Sequence, residues 1–466
     1  MSSDLFLAAD LGTSSLKTVA FDAEGTELWS DQREYPLHER SGGRVEHDPA
    51  DWERALADSV ANLPAGAPVD DVVVVAVTGL SPGFVPLDDR GEPVCPAVLP
   101  YLDSRAEDID VGEVEGLPYT SVELAKYLVW LRRTRPNRFA AVNTVATARN
   151  YLGYLLTGNL HRDGFLYPTD RIDDLCAAFD LPPSIFPDPH DVTRPVGTVT
   201  ASVRFDLRPD TAVIVGPFDG MCAVLGSGLH REGRAMSVGG STTINAVCLP
   251  DGSSAANMPH ILDGLDLYYT SEAVGTAHRW LAERIVGGGD GSERVFADLD
   301  ERARSVGPGD LPVFVPLLHG ERTNPSMRGG VVGLSNEHGL GHLVRSVYEG
   351  TSFYLREILE TVSAEAAVDV TAVTCSGGAT ESDLWNRVRA NVTGTTVVTT
   401  ETTETPALGA AMLAAAANGP YDAVPDAIKR MTTIRDRHEP DGQQRDTLEE
   451  RYRRYQELYA VIDDLY

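Results

Sequence analysis

The sequence predicts an α/β protein of two domains, and three observations lead there. The chain has 466 residues, more than one hydrophobic core usually supports. Continuous apolar, β-branched runs at 72–77, 213–216 and 370–375 alternate with stretches of helical spacing. That pattern belongs to sheets covered by helices on both faces. A strand–turn–strand unit at residues 5–22 also returns in weaker form at residues 234–249.

In the first unit an apolar run ends in Asp10, followed by Gly12-Thr13-Ser14-Ser15 and an alternating return strand. Bare amides and hydroxyls in such a turn donate to anionic oxygens without crowding them. A carboxylate at the strand end, Asp10, suits a hydrated Mg²⁺. Lys17 on the return strand is one of three lysines, with Lys126 and Lys429. Taken alone, the stretch reads equally as an ordinary hairpin with a polar tip. The second turn, Gly239-Gly240-Ser241-Thr242-Thr243, makes the pair specific. One turn opening each half predicts related domains, 1–229 and 230–466, facing each other across a central cleft.

The bulk composition excludes some partners. There are 69 acidic against 39 basic residues, a net charge of −30. So acidic a surface repels nucleic acid and anionic membrane. It suits a salt-rich, halophilic cytosol, where the Debye length falls to about 3 Å at 1 M. Apolar residues make up 42%, enough for packed cores. The five cysteines are scattered, with no pair at metal-ligand spacing. No apolar run reaches membrane-spanning length and no basic-then-apolar leader opens the chain, so a cytoplasmic protein is expected.

Along the chain, residues 19–35 continue as a hairpin turning at 23–25. His47-Asp48-Pro49 precedes a helix with Trp52, Leu56 and Val60 on one face. The strand at 72–77 ends in Thr78-Gly79-Leu80-Ser81-Pro82-Gly83, a loop at a strand's carboxyl end, where α/β sheets favour ligands. Leu80 and Ser81 are substrate candidates there. Asp103 and Arg105, two apart on a segment read as extended, face one way and suit vicinal hydroxyls; a surface ion pair is the plainer alternative. Helices are expected at 122–133 and 138–157, then a polar, loop-rich stretch at 159–183. Asp219 falls at a strand-to-helix junction, as a helix cap or as a general base. In the second half, a strand at 313–318, a polar loop at 319–325 and an amphipathic helix at 342–362 follow. Gly377, Gly378 and Ala379 after the strand at 370–375 let a planar base or a phosphate approach the backbone. The Ala/Gly-rich helix at 407–417 needs close neighbours, and a helix at 443–466 caps the domain.

These blocks, in this order, resemble the FGGY carbohydrate kinases of the actin-like ATPase superfamily over nearly the whole chain. The resemblance is carried by the opening hairpin and by Gly216-Pro217-Phe218-Asp219 through Gly226-Ser227-Gly228. It extends through Gly320-Glu321-Arg322-Thr323, Arg328-Gly329-Gly330-Val331-Val332-Gly333-Leu334, Ser376-Gly377-Gly378-Ala379 and Pro406-Ala407-Leu408-Gly409-Ala410-Ala411. It implies two actin-like (ribonuclease H-like) ATPase domains with a central cleft, and ATP and Mg²⁺ as cofactors. It implies Asp219 as the base that takes a proton from a sugar hydroxyl, with Asp10 supporting the metal. Gly12, Thr13, Ser14 and Lys17, and in the other domain Gly240, Ser241 and Thr242, would hold phosphates. Gly377, Gly378 and Ala379 would line the adenine side, and Leu80, Ser81, Asp103 and Arg105 the sugar. The expected acceptor is a ketopentose such as xylulose; gluconate, glycerol or another polyol, or a non-catalytic actin-like nucleotide-binding protein, are the alternatives. A homodimer is compatible with this reading. Three departures bear on substrate or tuning: Gly240 stands where many members have Thr, a Met-His pair is absent from 79–83, and the stretch from Arg105 to Lys126 is short.

Overall fold

The structure is a computed structural model. It describes residues 4–109, 117, 119–165, 167, 169–201, 205–239, 242–286, 293–321 and 324–466. The chain forms two compact units, Met1–Gly226 with Thr405–Thr432, and Ser227–Glu404 with Thr433–Tyr466. The expected division into 1–229 and 230–466 differs from this by the return of residues 405–432 to the first unit and by residues 227–229, which fall in the second.

The first unit is built on a six-stranded sheet in the order Pro195–Thr198, Ala212–Phe218, Val72–Gly79, Leu5–Leu11, Ser15–Phe21, Glu27–Glu34. The three central strands are parallel and both flanks are antiparallel. Parallel pairing brings three carboxyl ends to one edge. Leu11 pairs with Gly79, and Gly79 with Phe218. The next residues, Gly12, Leu80 and Asp219, therefore lie side by side, the first two opening loops and the third a helix. Burial on both faces explains the unbroken apolar runs. One face packs Pro49–Ala61, through Trp52, Leu56 and Val60, and Ala148–Thr157, through Leu152 and Leu156.

Over the same strands lies Thr405–Asn418, packed on Asp219–Gly226. Its alanines and glycine permit an approach that side chains would forbid. A Cβ on Gly409 would stand 1.8 Å from Cys222 O, and one on Gly226 2.1 Å from Thr405 O.

The second unit repeats the plan. Its seven strands run Met258–Pro259, Leu265–Glu272, Thr243–Pro250, Arg234–Gly239, Ala372–Ser376, Thr396–Thr400, Ile434–His438. Again the opening strand forms an antiparallel hairpin on one side and a parallel ladder on the other. Its core gathers Leu340–Ala366 and Arg445–Leu465 through Phe353, Tyr452 and Tyr455.

Some local expectations fail. The helix expected at 138–157 is one turn at Pro136–Phe139, a strand at Thr144–Thr147 and a helix from Ala148. The stretch taken as loop, 159–183, holds the helix Thr169–Phe179. The strand expected at 313–318 is Val313–Val315. Among the described residues no helix is long and apolar enough to cross a membrane.

Candidate functional site

In the first unit the site grows from the row of strand ends. Asp10 is the penultimate residue of its strand, opposite Lys17 on one side and Thr78 on the other. Cross-strand partners share a face, so Lys17 and Asp10 are lateral neighbours. The turn after Asp10 is a tight hairpin closed by Gly12 N–H donating to Ser15 O at 2.9 Å. Tyr35 braces it twice: its hydroxyl donates to Gly12 O at 2.5 Å and its N–H to Ser14 O at 3.1 Å. Beneath lies buried His47, edge-on to Tyr35 and Trp52 at 5.2 and 5.6 Å. Thr13 and Ser14 project from this braced backbone, and Thr13 Oγ1 meets the Tyr101 hydroxyl at 2.6 Å.

Asp219 opens its helix directly after a fully buried strand. The ladder slips between Val215 and Phe218, and Thr78 Oγ1 donates to Pro217 O at 2.8 Å, fixing the bend before the carboxylate. Asp219 Oδ1 accepts Gly220 N–H at 2.7 Å, and the side chain stays partly exposed. Burial raises its pKa above the ordinary carboxylate value; the Gly220 N–H and the Arg149 charge pull the other way without cancelling it. Arg149 is itself fully buried and ion-paired with buried Asp163. Its helix is jammed against the Asp219 strand, where a Cβ on Gly153 would stand 2.3 Å from Val215 Cγ2.

The expected substrate residues divide. Ser81 Oγ is buried at the loop with no hydrogen-bond partner among the described residues. Leu80 is a correction. It is 3% exposed and belongs to the core, its Cδ1 filling the space a side chain on Gly83 would need. Asp103 and Arg105 are corrections as well. Their segment turns, with Leu102 N and Asp103 N both bonded to Leu99 O, and the two side chains point inward and bind each other.

In the second unit, Gly240 and Ser241 lie outside the described residues; Thr242 is exposed beside them. Gly377 has φ +90°, and a Cβ there would meet Gly239 O at 2.0 Å. Only glycine fits, and it seats the 377–379 turn against the end of the opening strand. Gly378 and Ala379 line a cavity of about 680 Å³, with Gly239, Thr243, His278 and Trp385. Trp385 stacks on Tyr348 at 4.5 Å and 11°, and Arg389 lies 4.6 Å from the Trp385 ring. Burial lowers His278 to about 4, so its ring is neutral at pH 7 where it stands edge-on to Tyr348 and Trp385. Sequence reasoning missed this aromatic wall, along with Tyr35, Tyr101 and Arg149, because each acts through partners far away in the chain.

No cluster of three or more His, Cys, Asp or Glu side chains able to hold a metal occurs among the described residues. Asp10 and Asp219 are carboxylates at the ends of the outer two of the three parallel strands, with no imidazole or thiolate ligand set. Such oxygen donors suit Mg²⁺, which keeps most of its waters and leans on phosphates.

Residues 5–226 match the model of the N-terminal domain of the FGGY family of carbohydrate kinases, and residues 260–418 its C-terminal domain. A xylulose kinase of Staphylococcus epidermidis is 25% identical over 496 residues, covering 100% of this chain and 98% of that protein. A glycerol kinase of Clavibacter michiganensis is 26% identical, covering 90% of each. The crystal structure of xylulose kinase from Rhodospirillum rubrum superposes with a TM-score of 0.84 at 25% identity, covering 98% of this chain and 99% of that one.

Proposed function

Because this chain belongs to the FGGY family of carbohydrate kinases and so transfers phosphoryl groups from ATP to an alcohol of a sugar or polyol, we propose a ketopentose such as xylulose as its acceptor and Asp219 as its general base. The observation that supports this most is the row of strand ends in the first unit, where Asp10, the 12–14 turn and Asp219 share one edge.

In this reading the acceptor hydroxyl attacks the γ-phosphorus. Its proton passes to the Asp219 carboxylate, and the bond from phosphorus to the ADP oxygen breaks. A carboxylate whose pKa is raised by burial is a better base than a free one. Thr13, Ser14 and Lys17 meet phosphate oxygens, with the Tyr35 brace keeping the turn's amides aimed. In the second unit Thr242 and the 377–379 turn take the nucleotide, the adenine resting in the recess walled by Trp385. Gly240 and Ser241 are proposed to meet the same phosphates. Asp10 would hold a Mg²⁺, which supplies charge neutralisation on the phosphates. Ser81 offers its hydroxyl to the sugar, whereas Leu80, Asp103 and Arg105 shape the walls behind it.

The test is ADP release on a panel of ketopentoses, aldonates, glycerol and other polyols. The expected result is turnover greatest with a ketopentose, and a loss of about 10²-fold or more in Asp219→Asn with ATP binding retained. Turnover greatest with glycerol or gluconate would reassign the substrate. Intact activity in Asp219→Asn would remove the base.

A further inference from the structure

Thr13 sits in the phosphate turn, and Tyr101 lies in the segment leading to Asp103, 88 residues away, yet their hydroxyls are 2.6 Å apart. We propose that Tyr101 is a positioning residue that couples acceptor occupancy to the phosphate grip. Without a sugar its hydroxyl engages Thr13 Oγ1; a sugar or polyol that takes over the Tyr101 hydroxyl frees Thr13 for the nucleotide. This rests on the kinase reading above.

The chemistry is a competition for one side chain. Whichever hydroxyl donates, the contact holds Thr13 Oγ1 on the Tyr101 phenol, and an anionic phosphate oxygen needs that hydroxyl turned toward it as a donor. A hydroxyl pair at 2.6 Å is at the short end of the O–H···O range, so the engagement is a full hydrogen bond. The backbone of the turn does not depend on it. Tyr35 holds Gly12 and Ser14, and Gly12 bonds Ser15, independently of Tyr101. The Tyr101 bond thus fixes only the Thr13 side chain.

Nor does packing require the ring where it is. Tyr101 is among the exposed large apolar residues, as is Leu102. An exposed aromatic face beside the strand ends is a stacking surface for the C–H face of a sugar. The hydroxyl end is different: burial there, together with the charge of Asp219, pushes the phenol up to about 12. It stays protonated at neutral pH, and its bond to Thr13 sets it at the sheet edge that the 12–14 turn shares with Asp219. One phenol therefore addresses both the turn and the acceptor's position.

The consequence is economy of ATP. In the wasteful reaction a water oxygen bonds to the γ-phosphorus, the bond to the ADP oxygen breaks, and the water's proton leaves to solvent. A grip completed only when an acceptor is present suppresses that route.

The experiment uses the full chain with Mg²⁺ and the non-hydrolysable β,γ-imido analogue of ATP. Binding is measured by calorimetry with and without the best acceptor. Wild type is expected to bind the analogue roughly 3- to 10-fold more tightly with the acceptor, the worth of about one neutral hydrogen bond. Tyr101→Phe keeps the ring and is expected to bind equally tightly with or without acceptor, and to show sugar-free ATP hydrolysis raised by a similar factor. Thr13→Ser, which keeps a hydroxyl, is expected to retain the tightening. No tightening in an active wild type, or tightening that survives in Tyr101→Phe, overturns the coupling. A panel on which wild type phosphorylates nothing overturns the kinase reading, and the coupling with it.

Discussion

Arg105 and Asp103 pair inside the first unit. Arg105 Nε lies 2.8 Å from Asp103 Oδ1 and 2.9 Å from Oδ2, with the side chains 5% and 1% exposed. Glu46 joins at 2.9 Å, Val45 N–H donates to Asp103 Oδ2 at 2.6 Å, and the guanidinium lies 5.1 Å from the Trp130 ring centroid. Every lobe of the guanidinium is spent internally. Arg105→Met would leave buried Asp103 without its counter-charge and Glu46 with Arg40 alone. The expected cost is about 3–5 kcal/mol, read as a lower melting temperature with kcat per folded molecule unchanged. An unchanged melt with a raised KM for sugar would return this pair to the substrate.

Asp219, as the proposed base, sets the acid limb of the reaction. Burial raises its pKa, so the base is lost by protonation at a higher pH than a free carboxylate would be. The profile of kcat/KM against pH is expected to fall on the acid side with a midpoint above the ordinary value of 3.8. A limb at or below that value would contradict the environment described.

Three buried imidazoles, His47, His260 and His278, are each lowered to about 4, chiefly by burial. In the unfolded chain each titrates near 6.5. Between those values the unfolded state binds protons that the folded state refuses, so stability falls as pH drops from about 6.5 toward 4. Urea unfolding at pH 7.5 and pH 5 is expected to show a lower midpoint at pH 5. His47→Phe, which keeps a flat ring between Tyr35 and Trp52, is expected to lessen that difference.

The contact between helices 405–418 and 219–226 leaves no room for a methyl group. Gly409→Ala places carbon 1.8 Å from Cys222 O, a backbone atom that cannot swing aside. A loss of about 1–3 kcal/mol or more is expected from such overpacking, measured by denaturant unfolding. Gly378→Ala, with open space around it, should leave stability nearly unchanged.

What the sequence made legible was whatever local periodicity encodes. The paired hairpins, the buried strands and Asp219 at its junction are contiguous signals. Residues 169–179 carried such a signal too, in Ile172, Leu175, Cys176 and Phe179, but the polar residues around them masked it. Asp103 and Arg105 failed for another reason. Their partners Val45 and Glu46 lie more than 50 residues earlier, so only the fold could turn them inward. The Tyr35 brace and the Tyr101 contact were illegible likewise, because a hydroxyl's partner leaves no trace in spacing.

The helix 405–418 covers one face of a sheet whose first strand is Leu5–Leu11. On the ribosome, one face of those strands therefore stays uncovered until residues 405–418 have been made. A chain stopped at residue 404 exposes that face permanently, which makes late truncations of this gene substrates for chaperones and proteases rather than half-proteins.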